Sequence, residues 1–205
     1  LRNGVIAEYE LTEIFVRELM RKVTGPTLFF KPKIIITVPY GITSVERRAV
    51  QEAGLGAGAR EVYLIPQPLA AAIGIDLPIK TPTGNMVISI GAGTTQAAII
   101  SMNGLVSAET SPVAGLRLDD AIINTVRKKY GLIIGQPTAE QLKLRIGSAL
   151  PVEDEHTMEV QGQDQVSGLP RPVSLSTNEI VDALEQPLQE IVNVIKRVLE
   201  KTPPE

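Results

Sequence analysis

The segment Ser89-Ile90-Gly91-Ala92-Gly93-Thr94-Thr95-Gln96 carries residue types suited to holding an anion. Gly91 and Gly93 lack Cβ atoms, so backbone N–H groups there can come close to a phosphate. Glycines also admit backbone angles closed to other residues. Thr94 and Thr95 add hydroxyl donors. The flanking runs, Met86–Ile90 and Ala97–Ile100, are short and rich in Ile, Val and Ala, which predicts two strands. Gly91–Thr95 then forms the turn of a β-hairpin that grips phosphate. This differs from the strand-to-helix P-loop and points to a nucleotide-binding protein of another architecture.

Other chemically suggestive residues are set aside. Gly54-Leu55-Gly56-Ala57-Gly58 has the look of a dinucleotide loop, but it follows a predicted helix and precedes a strand, the reverse of what that motif needs. It reads as a flexible connection. His156 is the one histidine and lies in the acidic run Glu153-Asp154-Glu155. No second ligand stands at a fixed spacing, so a solvated loop is expected there and no direct metal site. A Ser-His catalytic pair has no support.

Composition narrows the function classes. With 205 residues, 43% of them hydrophobic, the chain has room for one large domain or two small ones with real cores. A net charge of −3 leaves no basic footprint for nucleic acid, and with 4 Tyr, 3 Phe and no Trp a base-stacking surface is not expected. The absence of Cys excludes disulfides and thiolate metal sites. No apolar run reaches the length of a membrane span, and no signal peptide is visible. The start at Leu1 and the Thr202-Pro203-Pro204-Glu205 end read as those of an internal fragment.

The positioning elements follow from periodicity and punctuation. Ile14, Phe15, Leu19, Met20 and Val23 predict a helix over Thr12–Val23, stopped by Gly25-Pro26. Lys33–Val38 is a strand, and Thr43 with Glu46 forms a capping box that opens a helix fading at Gly54. Glu61–Ile65 is a strand, turned by Pro66-Gln67-Pro68 into a helix over Leu69–Gly74. Helix and strand alternate here, as in an α/β layer. Thr81–Gly84 is a turn-rich boundary. Beyond the phosphate hairpin, Asn103-Gly104 predicts a second hairpin turn before a strand over Leu105–Thr110. Gly115–Tyr130 is a helix with Leu118, Ile122 and Val126 on one face. Thr138–Ile146 is a helix opened by a Thr138/Gln141 capping box. Val152–Ser176 is expected to form short strands around Gly168-Leu169-Pro170. Ser176/Glu179 caps a final helix with the stripe Ile180, Leu184, Leu188, Ile191, Ile195, Leu199, which Pro187 should kink or divide.

Three antiparallel strands with a glycine phosphate turn, followed by a helix, match half of an actin-like ATPase core. The local sequence goes further. Arg60–Ile65 with Pro68–Gly74, Gly91–Thr95, Asp120–Ile123, Ile146–Ala149, Gly168–Arg171 and Thr202–Glu205 resemble the MreB family of bacterial actin homologues, in the family's order and over nearly the whole chain. The resemblance implies an α/β, actin-like ATPase (ribonuclease H-like) fold with two lobes, incomplete at both ends. Residues 1–80 would be the remainder of the first lobe. Residues 81–205 would be the second, with a core hairpin sheet and helix over 81–135 and a smaller subdomain and return helix over 136–205. It further implies a subunit that binds ATP and Mg²⁺ between its lobes and polymerises with itself. Such a subunit works in the cytoplasm at the inner face of the membrane, with cell-elongation membrane proteins and without nucleic acid.

Residue by residue, the resemblance implies that Gly91, Ala92, Gly93, Thr94 and Thr95 wrap the β- and γ-phosphates and that Gly115 passes close to them. It implies that Glu140, Gln141, Leu142 and Lys143 meet ribose and base. An ordinary i, i+3 surface ion pair between Glu140 and Lys143 is the other reading. Leu28 and Phe29, ringed by Arg21, Lys22, Lys31 and Lys33, match the loop that enters the membrane. Four positions depart from the family. Ser89 stands where a carboxylate helps to hold hydrated Mg²⁺, and a hydroxyl brings no charge. Pro66 and Gln67 stand where paired glutamates orient the attacking water, leaving Gln67 as the remaining catalytic candidate. Leu116 replaces a further acid. Slow or absent hydrolysis is expected. Within the same fold, a sugar or acetate kinase or a heat-shock-type chaperone ATPase are the alternatives. The first lacks a candidate acidic base here, and the second needs a substrate-binding domain after the core.

Overall fold

A computed structural model describes residues 8–25 and 31–203. They fall into two compact units. The first takes in the described residues up to Ile90, then Thr94–Pro112 and the chain from Val194 onward; the second takes in Gly91–Gly93 and Val113–Asn193.

The first unit opens with α1 (Tyr9–Thr24), close to the span its apolar spacing predicts. Strands β1 (Lys33–Val38) and β2 (Glu61–Pro66) pair in parallel, with α2 (Ser44–Gly56) as the crossover. The expected capping box is present: Glu46 N–H donates to Thr43 Oγ1 at 3.2 Å, and Thr43 N–H donates to Glu46 Oε2 at 2.7 Å. The bond from Thr43 N–H, with a second from the Thr43 hydroxyl at 2.8 Å, holds the Glu46 carboxyl below its ordinary range. The Gly54–Gly58 stretch is only partly a connection, because α2 runs on through Gly56. Gly54 belongs to the packing: a Cβ there would lie 2.8 Å from Val62 Cγ2, so only glycine lets α2 settle this close to β2.

Helix α3 (Gln67–Gly74) leaves β2 directly. It starts two residues before the expected Leu69, because Pro68 sits in the first turn, where a missing N–H costs nothing. Next comes the meander β3 (Asn85–Ile90), β4 (Thr95–Ser101) and β5 (Gly104–Ser111), antiparallel throughout. The β4–β5 turn differs in register from the expected Asn103-Gly104. Its two central residues are Met102 and Asn103, with φ of 50° and 60°, and Gly104 already pairs with Ser101. The N–H groups of Met102 and Asn103 donate to Thr81 O at 3.1 Å and Ile79 O at 2.8 Å, which offsets the unfavourable left-handed backbone.

The alternation along β4 organises this unit. Ala98 and Ile100 pack with Ala72 of α3, Ile79 and Val87. Gln96 has the same parity, so it points to the α3 side as well. Ala97 and Ile99 occupy the opposite face.

The second unit contains α4 (Gly115–Tyr130), β6 (Leu132–Ile133), α5 (Gln136–Ile146), β7 (Thr157–Asp164), β8 (Pro170–Ser176) and most of α6 (Thr177–Lys201). Helix α4 has the bounds expected from its sequence. The strands form one antiparallel sheet in the order β6-β7-β8, and β7–β8 is a longer hairpin than the short strands anticipated. The core joins Ile122 and Val126 of α4, Leu142 of α5, Val160 and Leu175 of the sheet, and Ile180 and Leu184 of α6. Helix α5 does not use the predicted Thr138/Gln141 box. Pro137 occupies its first turn, so the helix starts at Gln136 behind Gly135, with no side-chain cap. The Ser176/Glu179 box does form, with Ser176 N–H donating to Glu179 Oε2 at 2.8 Å.

Pro187 does not divide α6, which runs unbroken from Thr177 to Lys201. The predicted stripe holds through Ile180, Leu184 and Ile191 and then shifts. Val194 and Val198 are wholly buried against Ala97 and Ile99 of β4, while Leu199 is 54% exposed. Burying each valine there contributes roughly 1.5–3 kcal/mol.

Candidate functional site

Ile90 pairs with Thr95, so the phosphate-turn candidate is the four residues Gly91–Thr94. Two of its carbonyls are committed: Gly115 N–H donates to Gly91 O at 3.1 Å, and Leu116 N–H donates to Ala92 O at 2.8 Å. The first donors of α4 are thereby satisfied by the turn. A Cβ at Gly115 would stand 3.4 Å from Gly91 O, an ordinary contact, so it is the Gly115 N–H and not the missing side chain that ties the turn to α4. In contrast, the N–H groups of Gly91, Ala92, Gly93 and Thr94 donate to no acceptor among the described residues. Gly91 and Ala92 are exposed. The bend thus turns its first two acceptors onto a helix and leaves consecutive donors open, which is the chemistry of an anion cradle. Neither Gly91 nor Gly93 adopts a left-handed φ. The unusual angles expected of them are not what the turn uses. Thr95 belongs to β4 and is wholly buried, so its side chain is not presented at the surface of the turn.

On α5, Glu140 and Gln141 are exposed, but Leu142 is wholly buried in the core of its unit and its side chain cannot reach a ligand. Lys143 is not the partner of Glu140. Its Nζ lies 2.6 Å from Asp119 Oδ1 and donates to Gly115 O at 3.2 Å. The ion pair is close but poorly aligned, since Asp119 Oδ1 accepts no hydrogen bond of good geometry. Asp119 was not anticipated. The signal was its place on the α4 face that also buries Ile122 and Val126.

In the first unit, Pro66 closes β2 opposite Val38, and Gln67 opens α3 half-buried. Gln96, 1% exposed on β4, accepts from Tyr40 N–H at 2.9 Å and donates through Nε2 to Gln67 Oε1. The sequence places Gln96 at the end of the glycine-rich segment but does not show that it meets Gln67 and Tyr40. A buried-parity glutamine just before the apolar run of β4 was the available sign. Ser89, half-buried on β3, offers only a hydroxyl.

Among the described residues there is no cluster of three or more His, Cys, Asp or Glu suited to a metal ion. The open amides fit a triphosphate. The donor set offers Mg²⁺ no first-rank ligand, because Ser89 carries no charge. His156 engages through its backbone, its N–H donating to Thr177 Oγ1 at 3.2 Å. No helix of the described residues is long and apolar enough to cross a membrane. Leu28 and Phe29 lie outside the described residues. The last turn of α1 carries Arg21 and Lys22.

The family model for the MreB/Mbl protein matches residues 1–205. The cell shape-determining protein MreB of Escherichia coli (strain K12) is 45% identical over 206 residues, covering 100% of this chain and 59% of that protein. The cell shape-determining protein Mbl of Bacillus subtilis (strain 168) is 40% identical, covering 100% of this chain and 62% of that protein. The crystal structure of MreB5 of Spiroplasma citri bound to AMPPNP matches with a TM-score of 0.92 at 34% identity, over 100% of this chain and 61% of that one. A MamK double helical filament shares the fold, with a TM-score of 0.78 at 20% identity. The α/β, actin-like fold expected from the sequence is the fold of this chain. The chain spans about three fifths of the length of the curated relatives it matches.

Proposed function

The chain belongs to the MreB/Mbl family, and from that premise we propose that the intact protein is a cytoskeletal subunit that binds ATP, polymerises with itself and directs cell shape and wall elongation. The observation that carries this is the Gly91–Thr94 bend, with carbonyls held by Gly115 and Leu116 and amides open to an anion. Relatives support it: MreB5 has been crystallised with AMPPNP and with ADP, and MamK forms a double helical filament.

In this reading the amides of Gly91, Ala92, Gly93 and Thr94 receive the β- and γ-phosphates. Gly115 keeps the bend closed against α4, and Glu140 and Gln141 take the ribose side. Lys143 stays with Asp119 and lies near the base. Residues 1–80 and 81–205 are parts of two lobes, with ATP between them. Ser89 is the residue that would face hydrated Mg²⁺, and its hydroxyl would hold the ion more weakly than a carboxylate. Leu28 and Phe29 enter the inner face of the membrane from the cytoplasm, where cell-elongation membrane proteins meet the filament. Hydrolysis is slow, because Pro66 and Gln67 supply no base.

A fluorescent ATP analogue titrated into the full-length protein tests the reading. Gly93→Val sets a branched side chain against the open amides and is expected to weaken binding about tenfold or more, with little change in melting temperature. Unchanged affinity would remove the bend from the site.

A further inference from the structure

A chain of donors and acceptors around Gln67 fixes which end of its amide is available. The backbone N–H of Tyr40 can only donate, and it points to Gln96, so that atom of Gln96 must be its oxygen. The other end of the Gln96 amide is then its nitrogen. A nitrogen donates, so the atom of Gln67 that it touches must be Oε1. Gln96 is 1% exposed, so Gln67 Oε1 is drawn towards the interior. Gln67 Nε2 has no partner among the described residues, and it is not among their buried unpaired atoms, so it reaches solvent.

We propose that Gln96 is a positioning residue that turns the Gln67 amide nitrogen-outward, making Gln67 a donor to a phosphate oxygen and not an acceptor that draws in water. The inference rests on the proposed ATP-binding reading and deepens it. Hydrolysis requires water to attack the γ-phosphorus while the bond to the β-phosphate oxygen breaks and a proton leaves the water. An acceptor beside that water favours the step. A nitrogen-outward Gln67 instead hydrogen-bonds the phosphate itself. The triphosphate is held and turned over slowly, and the cause is amide orientation as well as the missing carboxylate.

The test is Gln96→Glu in the full-length protein. A carboxylate at 96 still accepts from Tyr40 N–H but has no hydrogen for Gln67. The Gln67 amide must then turn over and donate inward, leaving its oxygen outward. Phosphate release from ATP is expected to rise about tenfold or more. Adding Gln67→Leu should cancel the gain, and Gln96→Leu alone should not produce it. The side-chain amide resonances of Gln67, recorded without nucleotide, should shift on Gln96→Glu as its N–H₂ group becomes bonded. A merely structural role for Gln96 would lower stability in both variants at 96 and raise release in neither. Should Gln96→Glu fail to fold, Gln67→Glu provides the second arm. It keeps the bond from Gln96 and turns an acceptor outward, so release should rise there too. Unmoved Gln67 resonances, or release unchanged while the ATP analogue still binds, overturn the inference. Loss of ATP analogue binding by the unsubstituted protein, with the Gln67 resonances shifting as expected, overturns the nucleotide reading and leaves the amide orientation standing.

Discussion

The Lys143 ammonium lies 2.6 Å from the Asp119 carboxylate, with side chains 18% and 3% exposed. The pair joins α5 to α4 at Gly115, the residue that also holds the Gly91–Thr94 bend. Packing of the second unit and closure of the bend therefore share one contact. Neither partner tolerates loss of the other, because a buried charge left alone is costly.

Lys143→Met is therefore expected to lower unfolding stability by about 3 kcal/mol, since it strands the Asp119 carboxylate. The double substitution Lys143→Met with Asp119→Leu should recover most of that. Urea unfolding of the full-length protein, compared across the four members of the cycle, gives the coupling. Additive effects would show that the pair is not a unit.

Acid should weaken the second unit through Glu179. Burial alone would push this carboxyl up, but Lys129, the Tyr130 hydroxyl and the Ser176 N–H together bring it below the ordinary range. A carboxyl depressed in the folded state contributes stability above its unfolded value, and that contribution is lost as pH falls through the folded value. The melting temperature is expected to drop between roughly pH 5 and pH 3, with a shallower drop in Glu179→Gln. Thermal unfolding across that range checks it; parallel curves would assign the acid sensitivity elsewhere.

Membrane contact through Leu28 and Phe29 predicts that replacing both with Ser abolishes pelleting with anionic liposomes while leaving circular dichroism unchanged. Apolar insertion and cation attraction each contribute, so raised salt should weaken pelleting of the unsubstituted protein. Undiminished pelleting of the double variant counts against this contact.

Much of this was legible in the sequence, and the misses share a cause. Helix α4 could be bounded because its apolar spacing is clear; the structure adds that Gly131, in the left-handed region, ends it. The Thr43/Glu46 and Ser176/Glu179 boxes formed as expected. The Thr138/Gln141 box did not, because Pro137 had already taken the first turn of α5. The second hairpin slipped by one residue, because Met102 accepts a left-handed backbone in exchange for a bond to Thr81 O. Local patterns assign elements; they do not show which residues meet across them. The pairing of Lys143 with Asp119, and that of Gln96 with Gln67, join segments that sequence spacing keeps apart. The departures at Ser89, Pro66 and Gln67 were visible at once, but the direction of the Gln67 amide needed the fold.

The most direct measurement is a crystal structure of the full-length protein with AMPPNP. The account predicts β- and γ-phosphate oxygens within about 3.2 Å of the Gly91–Thr94 N–H groups. Phosphates seated elsewhere, with those amides bonded only to water, would contradict it.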